Sequence, residues 1–382
     1  MHYQERTAAS SMGRSSKAFM SPNPVSIFGR VVLLGMLLFA LFAVPCFIFY
    51  RNVYPLQCLH LSSQNVDLSD APPLILNDEQ AKLERLLKAA AMKDKTVILT
   101  TLNEAWAAPA PNSILDLFLE SFKIGENTKN LLNHLVIIAM DQRAYQRCLE
   151  VHPHCYALKV EGVDFTVEAY FMKGNYLKMV WSKIDIQKSA LEMGYNFVFT
   201  DADIMWFRNP FARFYEDTDF QISTDNYLRN NSYALDNKPN SGFIYVRSNR
   251  RTIQFYKVWY ESRITYPHRH DQAVLMGLIA DPIIREIALT IRFLNTLYFG
   301  GLCEPSKDFN QVCTMHGNCC FGVDNKIHDL SILLDDWRNY KSLSPDVKSS
   351  WKGTWNAPQN CSIKKIDVHY KPKKVMHEEK KY

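Results

Sequence analysis

The longest unbroken apolar stretch in the chain is Val31 to Tyr50, VVLLGMLLFALFAVPCFIFY, with no charged residue inside it and Arg30 and Arg51 at its ends. It matches the roughly 20 apolar residues a bilayer-spanning helix needs. Upstream, Arg6, Arg14 and Lys17 outnumber the single acid Glu5, a bias that holds the amino-terminal tail in the cytosol. A cleaved signal has an apolar region of only about 7–15 residues and a small-residue cleavage site, whereas this run closes on Phe47, Phe49 and Tyr50. The pattern predicts a cytosolic tail over 1–30, one uncleaved signal anchor over 31–50 and a lumenal body.

Residues 51–95 are polar, carry the Pro72-Pro73 pair and end in a helical segment near Glu79 to Ala91, as a stem would. From residue 96 the pattern changes. Thr96–Thr101 (TVILTT) and Leu135–Met140 (LVIIAM) are short apolar runs suited to buried parallel strands. Across Tyr176–Met193, Leu177, Val180, Trp181, Ile184 and Leu191 share one helical face, and Lys183, Gln187, Lys188 and Glu192 are expected on the other. Gly194 ends that helix, and Tyr195–Thr200 (YNFVFT) restarts as a strand. Strand, helix, strand implies a right-handed crossover. The expected body, 96–341, is therefore α/β, a mostly parallel sheet with helices on both faces, followed by a Lys- and Pro-rich extension over 342–382.

Composition narrows the class. At 382 residues and 47% hydrophobic, the chain can bury a sizeable core. The net charge of +5 is small and its basic residues are scattered, so nucleic acid is not an expected partner. Every cysteine except Cys46 lies beyond the apolar run, where disulfides persist. Cys148 and Cys155 flank a short loop, while Cys303, Cys313, Cys319 and Cys320 cluster later without zinc spacing, so structural disulfides are expected. Asn230 (NNS) and Asn360 (NCS) fit the glycosylation acceptor pattern.

The chemistry centres on Asp201-Ala202-Asp203, which follows YNFVFT at the carboxyl end of an expected strand. Ligands of open α/β sheets bind at such ends. Alternation turns Asp201 and Asp203 to one side, and paired carboxylates suit Mg²⁺ or Mn²⁺, which can bridge a diphosphate. A bare D-x-D also occurs in solvated turns, but apolar segments flank this one on both sides, and acids there are costly to bury unless paired or metal-bound. Asn240-Ser241-Gly242 precedes the strand-like FIYVRS, and Gly242 permits close approach of backbone to ligand. His270, Asp271 and Gln272 open the apolar helix AVLMGLI, with Asp271 able to cap it.

FTDADIMWFRNPF (199–211), DNKPNSGFIYVRSN (236–249), HDQAVL (270–275), YFGGLCEPSKDFNQVCTMHGNCCFG (298–322) and KIHDLSILLDDW (326–337) together resemble the plant nucleotide-diphospho-sugar transferase family, which includes glycosyltransferase family 77 proteins such as cell-wall arabinosyl- and xylosyltransferases. The resemblance spans about 95–341. It implies a Rossmann-like GT-A fold, type II Golgi membrane topology, a UDP-sugar donor, a polysaccharide or glycoprotein acceptor, Mn²⁺ or Mg²⁺, and retention of anomeric configuration. Golgi enzymes of this kind often form homo- or hetero-oligomers.

By the same resemblance, Asp201 and Asp203 bind metal and donor, and His316 is a further metal ligand. Lys326 reaches the diphosphate, Lys178 contacts the donor from its helix, and Asn240, Gly242 and His270 contact donor or acceptor. If retention proceeds by double displacement, Asp271 and Asp236 are the candidate nucleophiles, with Gln272 beside them; front-face departure and attack is the preferred alternative. For His316 a hydrogen-bonded loop role, and for Lys178 a solvated helix face, stay open. Three other functions compete: a metal-dependent lumenal hydrolase or phosphodiesterase, which usually needs more His and Asp ligands; a non-catalytic lumenal protein that binds carbohydrate or nucleotide sugar; and a membrane-anchored structural protein, which predicts no ordered set of cleft motifs.

Overall fold

The computed structural model describes residues 77–108, 112–158 and 176–361. The expected tail, anchor and most of the stem lie outside these residues, as does 362–382. Among the described residues no helix is long and apolar enough to cross a membrane.

Helix α1 (Asp78–Ala90) starts at a capping box between Asn77 and Gln80 and buries Leu83, Leu87 and Ala90. The strands expected from the apolar runs form as β1 (Thr96–Leu102), β2 (Leu135–Ala139) and β4 (Asn196–Thr200), with the short β3 (Cys155–Ala157) beyond β2. β1 pairs in parallel with β2 and β4, and β2 with β3. The sheet continues through β6 (Phe220–Asn226), β7 (Lys238–Val246) and β8 (Ile291–Phe293) in the order β3-β2-β1-β4-β7-β6-β8. β7 is antiparallel to both β4 and β6, whereas β6 and β8 are parallel, so the sheet is mostly parallel with one reversed strand. FIYVRS is only the end of β7, which begins at Lys238 and takes in Asn240-Ser241-Gly242.

Both faces of the sheet are covered. Ile98, Leu102, Ile137 and Val198 pack with Phe118 and Phe122 of α3 (Ile114–Ile124) and with Leu330, Leu334 and Trp337 of α9 (Val323–Ser342). The alternate residues Val97, Leu99, Val136, Phe197 and Phe199 face α1, α5 (Tyr176–Glu192) and α6 (Arg250–Thr265). Each such side chain, buried, contributes about 1.5–3 kcal/mol. The shorter helices α2 (Glu104–Ala107), α4 (Gln142–Val151), α7 (Asp271–Ile279) and α8 (Ile283–Glu286) fill the crossovers. A second sheet, β5 (Ile204–Trp206), β10 (Thr314–His316) and β9 (Phe299–Gly301) in that order, stands beside the carboxyl end of β4.

The polar face expected for α5 is corrected by the structure: Lys183 is 7% exposed and Gln187 is fully buried. Helix α6 and the cleft cover that side, and Tyr256 donates to Gln187 Oε1 at 3.0 Å. Disulfides join Cys148 to Cys155, Cys303 to Cys319 and Cys320 to Cys361. Cys313 is a free, buried thiol, and burial pushes its pKa up to about 11. The segment through Cys361 packs on the body. Trp355 stacks on Phe309 at 4.1 Å and on Phe207 at 5.3 Å, and Asp329 accepts hydrogen bonds from the backbone N–H groups of Gln359, Asn360 and Cys361.

Candidate metal centre and cleft

The acid pair sits where the chain leaves one sheet for the other. β4 ends at Thr200, Asp201 N donates to Gly242 O at 2.7 Å, and β5 begins at Ile204. β10 then runs antiparallel to β5 with His316 opposite Ile204, which sets the imidazole beside Asp203. His316 Nε2 lies 3.1 Å from Asp203 Oδ1. Gly317 N donates to Asp203 O at 2.8 Å, and Lys326, in the first turn of α9, donates from Nζ to Asp203 Oδ2 and to Gly317 O. Gly322, with φ +86°, makes the left-handed turn that starts α9 there.

Burial alone would push the Asp203 carboxyl up, but Lys326 and His316 outweigh it and hold Asp203 well below the usual carboxylate range. Asp201 moves the other way, because burial and the charge of Asp203 together exceed the opposing pull of Lys183. The His316 ring is drawn toward its neutral form by burial, yet Asp203 outweighs that and raises it.

Three observations fit a divalent cation to these residues. One donor atom from each of Asp201, Asp203 and His316 lies within 4.8 Å of the others. Asp203 is buried, with Oδ1 only 3.1 Å from His316 Nε2, so carboxylate and imidazole converge in a space shielded from water. Gly242 keeps the space open: a Cβ there would lie 2.6 Å from His316 Cε1 and 2.7 Å from Asp201 Oδ2. Carboxylate oxygens and one imidazole suit Mn²⁺, and Mg²⁺ with added waters.

This centre lines a cleft of about 490 Å³. Its floor comes from the carboxyl ends of the parallel strands: Thr101, Leu102, Asn103 and Trp106 after β1, and Met140 after β2. One wall is Tyr176, Met179 and Lys183 of α5 with His270, Asp271 and Gln272; the other is Cys320 to Val323 with Lys326. Within the same lining, Lys183 Nζ is 3.0 Å from Asp271 Oδ2, with side chains 8% and 2% exposed. Ser241 Oγ donates to Asp271 Oδ2 at 3.0 Å, and Ser241 N to Gln272 Oε1 at 3.1 Å. Burial raises Asp271, but Lys183 and His270 outweigh it, and the carboxyl is held well below its usual range.

Most of the residues expected at the site are brought together: Asp201, Asp203, Asn240, Gly242, His270, Asp271, Gln272, His316 and Lys326 all line the cleft. Two are not. Asp236 is on the surface, 2.8 Å from Arg229, and is no part of the cleft lining. Lys178 is exposed, because a residue at its place on α5 points away from the sheet, and the lysine that reaches the cleft from this helix is Lys183. Asp271 is also not the cap of its helix; His270 holds that position, which frees the Asp271 carboxylate for Lys183 and Ser241. Asn230 is exposed with φ +50°, and Asn360 is half-buried beside the Cys320–Cys361 disulfide.

Sequence reasoning missed Lys183, Ser241 as a partner of Asp271, and the Thr101–Trp106 floor. Lys183 had a signal: with Val180, Ile184, Gln187 and Leu191 it falls on one i, i+3, i+4, i+7 stripe, and a lysine on an apolar stripe announces a buried, paired charge.

A cleft at the carboxyl ends of an α/β sheet, with a carboxylate–imidazole cluster able to hold a cation and two lysines beside it, can take a diphosphate-bearing ligand. Residues 130–330 match the sequence profile of the nucleotide-diphospho-sugar transferase family. The chain is 46% identical over 305 residues to an uncharacterised protein of Arabidopsis thaliana, covering 80% of each. It is 23% identical over 223 residues to the arabinosyltransferase RRA2 of the same plant, covering 56% of this chain and 47% of that one. Among solved structures, the galactosyltransferase LgtC superposes with a TM-score of 0.38 at 11% identity, covering 66% of this chain and 99% of that one. The chain belongs to the nucleotide-diphospho-sugar transferase family and is a glycosyltransferase.

Proposed function

We propose that the chain transfers a pentose from a UDP-sugar to a cell-wall polysaccharide or glycoprotein, with retention of anomeric configuration, using Mn²⁺ or Mg²⁺ held by Asp201, Asp203 and His316. The observation that carries this reading is the convergence of Asp201, Asp203 and His316, one donor atom of each within 4.8 Å of the others, at the carboxyl end of β4. When bound, the cation supplies positive charge against the diphosphate that departs.

The chain's own residues do the rest. Lys326 offers a second cation to the diphosphate from the head of α9, and Trp106, over which Lys326 Nζ lies at 5.4 Å, offers a face for the nucleobase. Asp271 and Gln272, fixed by Lys183 and Ser241, face the sugar from the opposite wall. A double displacement needs a carboxylate free to attack beneath the anomeric carbon. Asp271 is held by Lys183 and Ser241, and Asp236 is outside the cleft, so front-face departure and attack is favoured.

The pentose draws support from the similarity to a protein named as an arabinosyltransferase. Golgi residence as a single-pass type II protein draws support from the Val31–Tyr50 run and from three disulfides in the body, which suit an oxidising lumen. The test is UDP release by the purified chain against a panel of UDP-sugars, with Mn²⁺ and with EDTA, beside Asp203→Ala. Metal-dependent turnover of a UDP-pentose, lost in the variant, is expected. Turnover of a UDP-hexose alone would overturn the pentose, and turnover unchanged by EDTA would overturn the metal.

A further inference from the structure

His316 lines the cleft, and it also lines a second, small cavity of about 10 Å³. Ile204, Phe243 and Phe299 form the apolar part of that cavity, and Ser223, Thr224 and Asn318 its polar part. Thr224 is 4% exposed, and among the described residues its buried Oγ1 finds no hydrogen-bond partner. An unpaired buried hydroxyl is unfavourable, and one water needs about 10–15 Å³ and two to four polar partners.

The partners are at hand. His316 Nε2 is 3.1 Å from Asp203 Oδ1, which leaves Nδ1 as the ring's second hydrogen-bonding atom. Asn318 is held in place, its Nδ2 donating to Asp225 Oδ1 at 2.8 Å and its Oδ1 accepting from Cys303 N at 3.0 Å. That oxygen keeps a second lone pair.

Resting on the metal reading above, we propose that this cavity binds a single water molecule joining Thr224 Oγ1 to His316 Nδ1, and that Thr224 is a positioning residue for the metal ligand. His316 Nδ1–H and the Thr224 hydroxyl both donate to the water oxygen, and the water donates to Asn318 Oδ1. The bridge fixes the tautomer whose lone pair is on Nε2, the form a cation beside Asp203 requires. Metal-binding histidines generally bond their second ring nitrogen in this way, and losing that bond weakens metal binding about 10- to 100-fold. Thr224 lines the small cavity and no part of the cleft.

The test takes the purified full-length chain with Mn²⁺ alone as the probe, read by electron paramagnetic resonance. Thr224→Val keeps the shape and removes the hydroxyl, whereas Thr224→Ser keeps the hydroxyl. The Mn²⁺ Kd is expected to rise about 10- to 100-fold in Thr224→Val and to return close to wild type in Thr224→Ser. A high-resolution crystal structure is expected to show a water within hydrogen-bond reach of Thr224 Oγ1 and His316 Nδ1. Equal Kd in wild type and a folded Thr224→Val overturns the inference and leaves the metal centre standing. A wild type that binds no Mn²⁺ overturns the metal reading and this inference with it. Should Thr224→Val fail to fold, the crystal structure decides: the water in density supports the bridge, and its absence there overturns it.

Discussion

Ile204 and His316 face each other across the antiparallel pair β5–β10. That one register carries the imidazole from the far end of the chain to the residue next to Asp203, and the Gly317 N–H to Asp203 O bond locks it there. Position comes from the strands, so removing the ring should spare the fold and remove a ligand. His316→Ala and Asp203→Asn are each expected to lower UDP-sugar turnover on the order of 10²- to 10³-fold, the scale of losing one preorganised charge contact. Turnover at saturating Mn²⁺, with circular dichroism to show folding, checks this, and activity within a few-fold of wild type for either variant would remove that residue from the metal centre.

Lys183 and Asp271 are both almost completely buried. Breaking such a pair leaves one charge without its partner, which costs about 3–5 kcal/mol, whereas replacing both partners together costs far less. Lys183→Met should therefore destabilise strongly in urea denaturation, and Lys183→Met combined with Asp271→Leu should recover part of the loss. Activity should not recover, since Asp271 lines the cleft. If the double variant is as unstable as the single one, the two side chains are not coupled.

Asp329 ties residues 359–361 to α9 through three backbone N–H groups, and it is held below the usual carboxylate range. Burial pushes its carboxyl up, but the Cys361 N–H bond, His328 and the remaining bonds outweigh it. A depressed folded-state pKa means that the stabilisation is present above the unfolded value, about 3.9, and is lost as pH falls through the folded one. Asp329→Asn should thus be less stable than wild type at pH 6, with the gap closing below about pH 4. Denaturant midpoints for both proteins between pH 6 and pH 3 give the answer, and a gap independent of pH would show that the carboxylate's charge does not hold this segment.

How much of this was legible in the sequence depended on the range of the interaction. β1, β2 and β4 announce themselves as apolar runs, and Gly194 marks the end of α5 with φ +82°. Asp201 and Asp203 were legible because a strand's end is local information. Long-range pairing was not: nothing in FIYVRS shows that β7 runs against β4, nor that Asp271 spends its charge on Lys183. Asp236 and Lys178 lie outside the cleft lining, because Asn240 and Lys183, four and five residues further on, are the ones the backbone turns inward.

Gly242 separates metal geometry from stability. Its missing side chain leaves room for three atoms, His316 Cε1, Asp201 Oδ2 and Asn240 Oδ1, each under 3 Å from where a Cβ would stand. All three are side-chain atoms, not backbone, so Gly242→Ala can be accommodated by moving the groups that would hold the cation. The loss should fall on metal affinity more than on folding: Mn²⁺ Kd raised by about 10-fold or more, as for other disturbances around metal ligands, with the thermal midpoint of the metal-free protein shifted only slightly. Mn²⁺ titration and thermal unfolding on the same preparation separate the two. A large drop in midpoint with unchanged Kd would mean that the strand, and not the ligand set, gives way, and that Gly242 serves the packing of β7 against β4.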